Sequence, residues 1–293
     1  MIIGFLGKGG SGKSTASHRF TRFLHDQGNK VMALDLDHNM DMMFNFGISG
    51  ESHPDFQYLG LNARPDIYEQ SAILPGDFYD DLFTKDSYSI PTFKPFGNTD
   101  PFSEKYSQEI KPNLKLMAMG PHPEQLVQGG GCSHQLATSM KVYLPLVELE
   151  ENEFVVVDEK ASSDSVGTGI PSGFDMAYIC VENTPHSIKT AKLIAGLLDE
   201  LSTPYGFIAT KVKSAADTDS IEKGVGRSVT TSLSFDPAYA NPELVANEEN
   251  DAFSKITSEL EALRSQIFEG NAQTRKERTI AKFTKNKKYR EER

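Results

Sequence analysis

The chain has 293 residues, of which 38% are hydrophobic and 24% charged, and its formal net charge is −11 at pH 7. This length suffices for one large α/β domain or two small ones with a sizeable core, while the acidic balance argues against broad nucleic-acid binding by the body of the protein. No apolar run approaches the roughly 18 residues of a membrane-spanning helix, and two cysteines form no disulfide framework, so we expect a cytoplasmic protein.

A glycine-rich stretch follows the first apolar segment. Residues 2–6 predict a buried strand, residues 12–27 predict a helix, and between them the pattern G-x-x-x-x-G-K-[ST] runs from Gly7 to Ser14. Glycines let backbone amides turn toward a triphosphate, the Lys13 ammonium can reach its β- and γ-phosphates, and the Ser14 hydroxyl can hold Mg²⁺. We therefore predict that a nucleotide binds to Gly9, Gly10, Ser11, Gly12, Lys13, Ser14 and Thr15.

A second lysine, Lys8, makes the stretch read K-G-G-x-G-K-S. This resembles the deviant Walker motif of the ATPase group that includes the nitrogenase iron protein, MinD and ParA. The resemblance implies an ATP-dependent homodimer in which Lys8 reaches the partner's nucleotide. It also implies an α/β fold of the three-layer P-loop NTPase type, with a mainly parallel sheet and helices on both faces.

The second predicted strand, residues 30–36, leads into Asp35 and Asp37. Acidic residues at the carboxyl end of a parallel strand lie where such a sheet binds its ligand. In the family, the second aspartate of this D-x-D orients the attacking water, which implies a catalytic role for Asp37. Asp35 is expected to cap the next element instead. His38 stands where relatives often have Pro or Gly.

From about residue 48 to 112 the composition changes, with seven of the fifteen prolines and eleven Phe or Tyr residues. Aromatic content favours an ordered segment over a disordered linker. Apart from one short helix predicted at 77–84, the segment has little helical periodicity. We expect an irregular insertion that covers the nucleotide or contacts a client protein.

A glycine run at 129–131 precedes Cys132 and His134, after a predicted strand at 114–119. A cysteine at a helix start is favoured as the thiolate. The nitrogenase iron protein has a cluster-binding cysteine here, and the nickel-insertion ATPases of carbon monoxide dehydrogenase maturation, which the chain resembles most, have C-x-C that binds metal between subunits. Two copies of Cys132-x-His134 supply two sulfurs and two nitrogens, acceptable to Ni²⁺ or Zn²⁺. The alternative of equal weight is that Cys132 serves only as a small apolar residue and His134 only as a polar surface residue.

The apolar run from Glu153 to Asp158 has the form of a Walker B strand, so Asp158 is expected to hold Mg²⁺ through a bound water. In relatives, a glycine meets the γ-phosphate in the second switch, where this chain has Ser162. Cys180 lies in a predicted apolar strand at 175–182 and is assigned to the core.

A predicted helix at 185–201 is followed by a strand at 205–210. By resemblance, Thr210 stands where adenine-binding relatives commonly have Asn, which implies an adenine contact. Lys213 replaces the aspartate with which GTPases bind guanine, so ATP is preferred over GTP. A final amphipathic helix is predicted at 250–268.

The C-terminus differs from the acidic body, because residues 275–293 contain nine Lys or Arg and three Glu. We expect an ATPase domain over 1–268 and a solvated, partly disordered basic tail over 269–293. A contact of the tail with nucleic acid or an acidic membrane is the alternative, although it lacks the apolar stripe of membrane-targeting tails.

Together, the motifs and the resemblance imply Mg²⁺-dependent ATP hydrolysis in which Lys8, Lys13 and Asp37 are catalytic. Three outputs remain open. The first is metal or cluster insertion into an unidentified client enzyme. The second is positioning or partitioning on a membrane or nucleoid, and the third is regulation by nucleotide binding without hydrolysis.

Overall fold

The structure, a computed structural model, describes residues 1–71, 92–122, 138–160, 167–235, 247–267 and 271–291. Their backbone forms a sheet flanked by helices. The strands are β1 (Ile2–Gly7), β2 (Lys30–Asp35), β3 (Ser107–Lys111), β4 (Leu114–Ala118), β5 (Glu153–Asp158), β6 (Met176–Glu182), β7 (Tyr205–Val212) and β8 (Thr231–Ser234). The helices are α1 (Lys13–Asp26), α2 (Asp41–Asn45), α3 (Ala63–Ser71), α4 (Pro101–Tyr106), α5 (Thr138–Leu146), α6 (Pro185–Leu201), α7 (Ala215–Val225), α8 (Asn247–Ile267) and α9 (Asn271–Glu291), with a short 3₁₀ helix at Ile170–Gly173.

The described strands are arranged in the order β3-β4-β2-β5-β1-β6-β7-β8. All neighbouring pairs are parallel except β3 with β4. This order places β5 between β2 and β1, and Asp35 of β2 is in register with Asp158 of β5. The predicted α/β fold with a mainly parallel sheet is confirmed, and the two acidic strand ends lie beside the glycine-rich loop that follows β1.

Alternating side chains of the buried strands supply two hydrophobic cores, one on each face of the sheet. On β1, Ile2 and Leu6 belong to one core, while Ile3 and Phe5 belong to the other. Helices α3 to α7 and α9 contribute side chains to the first core, and α1, α2 and α8 contribute to the second. Burial of apolar surface on both faces is what holds the sheet between two helical layers.

Helix α1 has the predicted apolar face, formed by four residues that are each at most 9% exposed: Ala16, Phe20, Phe23 and Leu24. Helix α6 also spans the predicted residues, and the Thr184 hydroxyl caps it by accepting a hydrogen bond from the Ser187 amide. In the part of the chain that the structure describes, no helix is both long enough and apolar enough to cross a membrane.

The segment from 48 to 112 is more regular than expected. Its described residues include α3, α4 and β3, which adds an antiparallel strand at the sheet edge. Phe93 and Phe102 are buried and pack against Tyr143, with the Phe102 and Tyr143 ring centroids 5.2 Å apart. Aromatic packing therefore organises the described part of this segment, which combines three short regular elements with irregular stretches. Its predicted contact with the nucleotide or a client protein stays a prediction. The helix predicted at 77–84 lies outside the described residues.

The predicted tail over 269–293 is not disordered at residues 271–291, which form α9, and it is not solvated where its first basic residues are buried. Arg275 is 1% exposed, and its guanidinium donates to Asp175 Oδ1 at 2.8 Å and to the Val147 carbonyl. Farther along α9, Thr279 hydrogen-bonds to Ser172 at 2.9 Å and Phe283 joins the first core. The basic composition alone predicted exposure, but Arg275 is buried because the buried carboxylate of Asp175 pairs with it. Helix α9 packs on α5 and α6, so the domain continues past residue 268.

Candidate functional site

The loop between β1 and α1 has the backbone of an anion-binding turn. Gly10 and Gly12 have positive φ angles, +79° and +83°, which side-chain-bearing residues rarely adopt. The Ser11 amide donates to the Lys8 carbonyl at 3.0 Å and tightens the turn. Gly12 is the N-cap of α1 and has no side chain, so it leaves the first amides of the helix available to a phosphate. Ser14 and Thr15 lie in that first turn.

Lys13 is the centre of the site. It is 5% exposed, and its Nζ lies 3.2 Å from Asp37 Oδ2, 3.4 Å from Asp158 Oδ1 and 3.3 Å from Ser14 Oγ. Burial by itself lowers the pKa of Lys13, but the carboxylates of Asp158 and Asp37 outweigh it and raise that pKa above its usual value. The ammonium therefore stays charged. Three predicted site residues, Lys13, Asp37 and Asp158, are brought together.

Asp158 has less positive charge around it than a buried carboxylate requires. Burial raises its pKa, and the opposing effects of Lys13 and Ser14 do not restore the usual value. Its Oδ2 is buried and accepts no hydrogen bond from the described residues. A hard divalent cation suits this orphaned oxygen, because Mg²⁺ binds carboxylate and hydroxyl oxygens and completes its shell with water and phosphate. Asp158 and Ser14 thus fit the magnesium role predicted for them.

Asp35 and Asp37 have different surroundings. The Asp35 carboxylate accepts the Asp37 amide at 3.1 Å and the Met43 amide at 3.0 Å, so it shapes the loop and the start of α2. This confirms that Asp35 acts as a cap. Asp37 accepts the Asn39 amide with Oδ1 and contacts Lys13 with Oδ2, which aims its carboxylate at the head of α1. The His38 ring, in turn, hydrogen-bonds the Gly120 carbonyl at 2.9 Å.

A lysine–glutamate chain beside the loop was missed by the sequence reasoning. Lys211 has a left-handed backbone, φ +56°, at an irregularity in β7, and its Nζ donates to the Gly10 carbonyl. Glu182 lies 3.3 Å from Lys211 Nζ and 3.8 Å from Lys8 Nζ. Glu182 ends β6, and this position is the one sequence feature that could have predicted its place in the site, because the carboxyl ends of parallel strands meet at this edge of the sheet. Lys8 itself is 39% exposed at its side chain, and its predicted reach to a partner's nucleotide stays a prediction.

Thr210 is buried, and its hydroxyl donates to the Ser11 carbonyl at 2.7 Å, so it supports the glycine-rich loop from β7. Its predicted adenine contact stays a prediction. Cys180 is 1% exposed in the second core, and burial raises the pKa of its thiol well above the usual value, which confirms its core assignment. Two predicted site residues, Cys132 and His134, lie outside the described residues, as does Ser162 of the second switch.

Comparison with known proteins agrees with this geometry. The model of the CobQ/CobB/MinD/ParA nucleotide binding domain matches residues 2–244. The chain belongs to this family. The predicted relationship to the MinD and ParA group is thus confirmed, and the domain is of a nucleotide-binding type. That the glycine-rich loop and Lys13 contact the nucleotide stays a prediction.

Alignments with individual similar proteins cover most of the chain. An uncharacterized ATP-binding protein of Methanocaldococcus jannaschii is 26% identical over 92% of this chain and 98% of its own length. Carbon monoxide dehydrogenase accessory protein CooC of Rhodospirillum rubrum is 27% identical over 74% of this chain and 76% of its own. The crystal structure of the cell division ATPase MinD of Pyrococcus furiosus shares the fold, with a TM-score of 0.58 at 16% identity, covering 89% of this chain and 98% of that one.

Proposed function

We propose that the protein is a cytoplasmic Mg²⁺-dependent ATPase switch that works as a homodimer and serves metal or cluster insertion into a client enzyme. The observation that carries the ATPase part is the buried triangle of Lys13, Asp37 and Asp158 at the head of α1. It brings one positive charge and two carboxylates together at the same edge of the sheet, and we assign one carboxylate to the cation and the other to the water.

In this proposal, the γ-phosphate lies at the first turn of α1, where the helix amides and Lys13 neutralise the charge that develops on transfer. Bound Mg²⁺ would supply further charge neutralisation, held by Ser14 and by Asp158. Asp37 orients the attacking water with its carboxylate, and Asp35 keeps Asp37 in place through the Asp37 amide. Lys8, on the exposed side of the loop, adds the second lysine to the nucleotide of a partner subunit.

The metal part of the proposal has two supports. One is the similarity to the accessory protein CooC, which matches over three quarters of its length. The other is Cys132-x-His134, which in two subunits provides two thiolates and two imidazoles. Helix α9 gives less support to the membrane or nucleoid output, because Arg275 and Lys276, the first basic residues of the tail, are buried against the body.

A turnover experiment tests the ATPase part. Asp37→Asn should retain ATP binding and lose about 10²–10⁴-fold in hydrolysis rate, as expected when a group that positions the nucleophile is removed. Asp26→Asn, the same change at an exposed aspartate of α1, is the matched control. Equal rates in Asp37→Asn and the wild type would refute the assigned role, and no turnover in the wild type would favour the non-hydrolysing regulator.

Elemental analysis of anaerobically purified, tag-free protein tests the metal part. The wild type should contain about one Ni²⁺ or Zn²⁺ per dimer, the stoichiometry at which four donors from two subunits bind one ion. Cys132→Ala should lose it. The buried Cys180 supplies the control, since Cys180→Ala alters a core thiol that no solvent metal reaches. An unchanged metal content in Cys132→Ala contradicts the proposal.

A further inference from the structure

The carboxyl end of β7 supplies two consecutive side chains to the glycine-rich loop. Thr210 Oγ1 donates to the Ser11 carbonyl at 2.7 Å, and Lys211 Nζ donates to the Gly10 carbonyl at 2.5 Å. In a regular strand, neighbouring side chains point to opposite faces of the sheet. Contact of both residues with one loop therefore requires a break in this alternation.

The backbone of Lys211 provides that break. Its φ is +56°, in the left-handed region, and the pairing of β7 with β8 shifts between Ala209 and Val212. Glycine and asparagine adopt this conformation at lower cost than lysine does. A strained residue at a ligand site persists where its surroundings hold it there. At Lys211 the holding contact is the hydrogen bond from Nζ to the loop.

The two carbonyls matter because of how a loop binds an anion. The N–H and C=O of a trans peptide unit point in opposite directions, so a carbonyl held outside the loop turns the next residue's amide inward. The Gly10–Ser11 unit is held at both ends, since Lys211 binds its carbonyl and its amide donates to the Lys8 carbonyl at 3.0 Å. Thr210 holds the next carbonyl and turns the Gly12 amide inward.

Charge adds to this geometry. Glu182 Oε2 lies 3.3 Å from Lys211 Nζ, and Glu182 Oε1 lies 3.8 Å from Lys8 Nζ. The ion pair keeps the Lys211 ammonium beside the loop, although 43% of that side chain is exposed. Two lysines and one glutamate leave a surplus positive charge, which attracts an incoming polyphosphate.

We propose that Lys211 is a positioning residue for the phosphate groups of the nucleotide, because its bond to the Gly10 carbonyl holds the glycine-rich loop in the form that binds a polyphosphate. This role deepens the proposed function and rests on its nucleotide site. A loop that is organised before the ligand arrives loses less conformational freedom on binding. Since the effect concerns the phosphates, a nucleotide and an inorganic triphosphate should depend on Lys211 equally.

The experiment measures binding of two ligands to the full-length protein by isothermal titration calorimetry with Mg²⁺ present. The ligands are the non-hydrolysable ATP analogue AMPPNP and inorganic tripolyphosphate. Lys211→Met should weaken both by about 10-fold, the size expected when a hydrogen bond from a charged group is lost. The KM for ATP should rise by the same factor while kcat is unchanged, since the loop holds ground state and transition state alike.

Two further variants control for charge and for folding. Lys223→Met removes the same charge from an exposed lysine of α7 and should bind both ligands as the wild type does. Lys211→Gly removes the donor but adopts φ +56° without strain, so in thermal unfolding it should be at least as stable as Lys211→Met. It should nevertheless bind both ligands as weakly as Lys211→Met.

The outcomes separate this inference from the proposed function. If the wild type binds and hydrolyses ATP and both Lys211 variants keep its affinities, the positioning role is overturned and the proposed function stands. A loss confined to AMPPNP also overturns it, because Lys211 would then contact the nucleoside. A wild type that binds neither ligand overturns both proposals. An equal loss for the two ligands in both Lys211 variants supports the positioning role.

Discussion

Two buried carboxylates, Asp175 and Asp158, lie at opposite ends of the central parallel strands and have different partners. At the start of β6, Asp175 accepts the Arg275 guanidinium at 2.8 Å and the Ile2 amide at 2.7 Å. At the end of β5, Asp158 shares Lys13 with Asp37 and leaves Oδ2 without a described donor. Burial raises both pKa values on its own, yet the Arg275 charge brings the pKa of Asp175 below its usual value, whereas the pKa of Asp158 stays raised.

This difference separates a stabilising ion pair from a binding site within one fold. The ion pair of Asp175 and Arg275, which we call the α9 clamp, holds α9 to the body. The charge and hydrogen-bonding capacity of Asp175 are satisfied by groups of the chain itself. The Lys13 triangle, formed by Lys13, Asp37 and Asp158, has an excess of negative charge that a cation and a phosphate together can balance. Mutations at the two places should therefore act on different properties.

The largest combined effect, on both turnover and nucleotide binding, is expected from Lys13→Ala. Removing the one buried cation of the triangle should lower ATP turnover by about 10²–10³-fold, the loss typical when a donor to transition-state charge is removed. It should also abolish stabilisation by Mg²⁺-ATP, which in the wild type reaches about 2.7 kcal/mol when the ligand is at 100 times its dissociation constant. Steady-state kinetics and thermal unfolding with and without nucleotide measure both effects.

Lys30→Ala is the matched control, because it removes a half-exposed lysine at the other end of the sheet that pairs with Glu153. Its turnover should equal that of the wild type. Turnover that falls equally in both variants would mean that the loss reflects general destabilisation and not the chemistry of the triangle.

The next effect is expected from breaking the α9 clamp with Arg275→Met. Because Asp175 would then be buried without its cation, the free energy of unfolding should fall by about 3–5 kcal/mol. The increment in stability from Mg²⁺-ATP should remain, since Arg275 lies at the opposite edge from the loop. Denaturant unfolding measures the first quantity, and its repetition with nucleotide measures the second.

A double variant sharpens this result. Arg275→Met with Asp175→Leu removes both charges, so it should be more stable than Arg275→Met alone. If the double variant is no more stable than the single variant, the uncompensated charge of Asp175 is not the cause of the loss.

How far the sequence predicts each region follows from the separation of the interacting residues. The strand β1, the loop and Lys13 were predictable because the glycines, the lysine and the apolar run lie within about fourteen consecutive positions. The α9 clamp was not, because Asp175 and Arg275 are 100 residues apart and each belongs to a locally unremarkable segment. Charge counting placed Arg275 in a solvated tail, and only the fold brings its partner to it.

The same reasoning applies within the candidate site. Asp37 and Asp158 were predictable because Asp158 ends an apolar strand, Asp37 follows another by two residues, and parallel strands align their carboxyl ends. Lys211 and Glu182 were not, since the contact of Lys211 with Gly10 depends on a left-handed residue at an irregularity of β7. The strand β3 was missed because Ser107–Lys111 is short and half-exposed, so it lacks an apolar pattern.

A smaller loss of folding stability is expected when the pH is lowered. The pKa of Asp175 is lower in the folded protein than its usual value of 3.8, so its stabilisation is complete above that value and disappears as the pH falls through the folded pKa. The wild type should therefore lose stability between about pH 5 and about pH 2 more steeply than Asp175→Asn. Urea unfolding at a series of pH values measures the slope, and Asp26→Asn, at an exposed aspartate, should keep the wild-type slope.

The smallest effect is expected at Glu182, which pairs with Lys8 and Lys211 beside the glycine-rich loop. Its ion pair with Lys8 is long, 3.8 Å, and the Lys8 side chain is 39% exposed, so solvent screens it. Glu182→Gln should change the free energy of unfolding by about 1 kcal/mol or less, as is usual for exposed pairs. If Lys8 serves a partner's nucleotide, Glu182→Gln should preserve ATP-dependent dimerisation in analytical ultracentrifugation, whereas Lys8→Ala should lose it. A loss of several kcal/mol in Glu182→Gln would instead place this glutamate with the α9 clamp, as a group whose charge the fold itself requires.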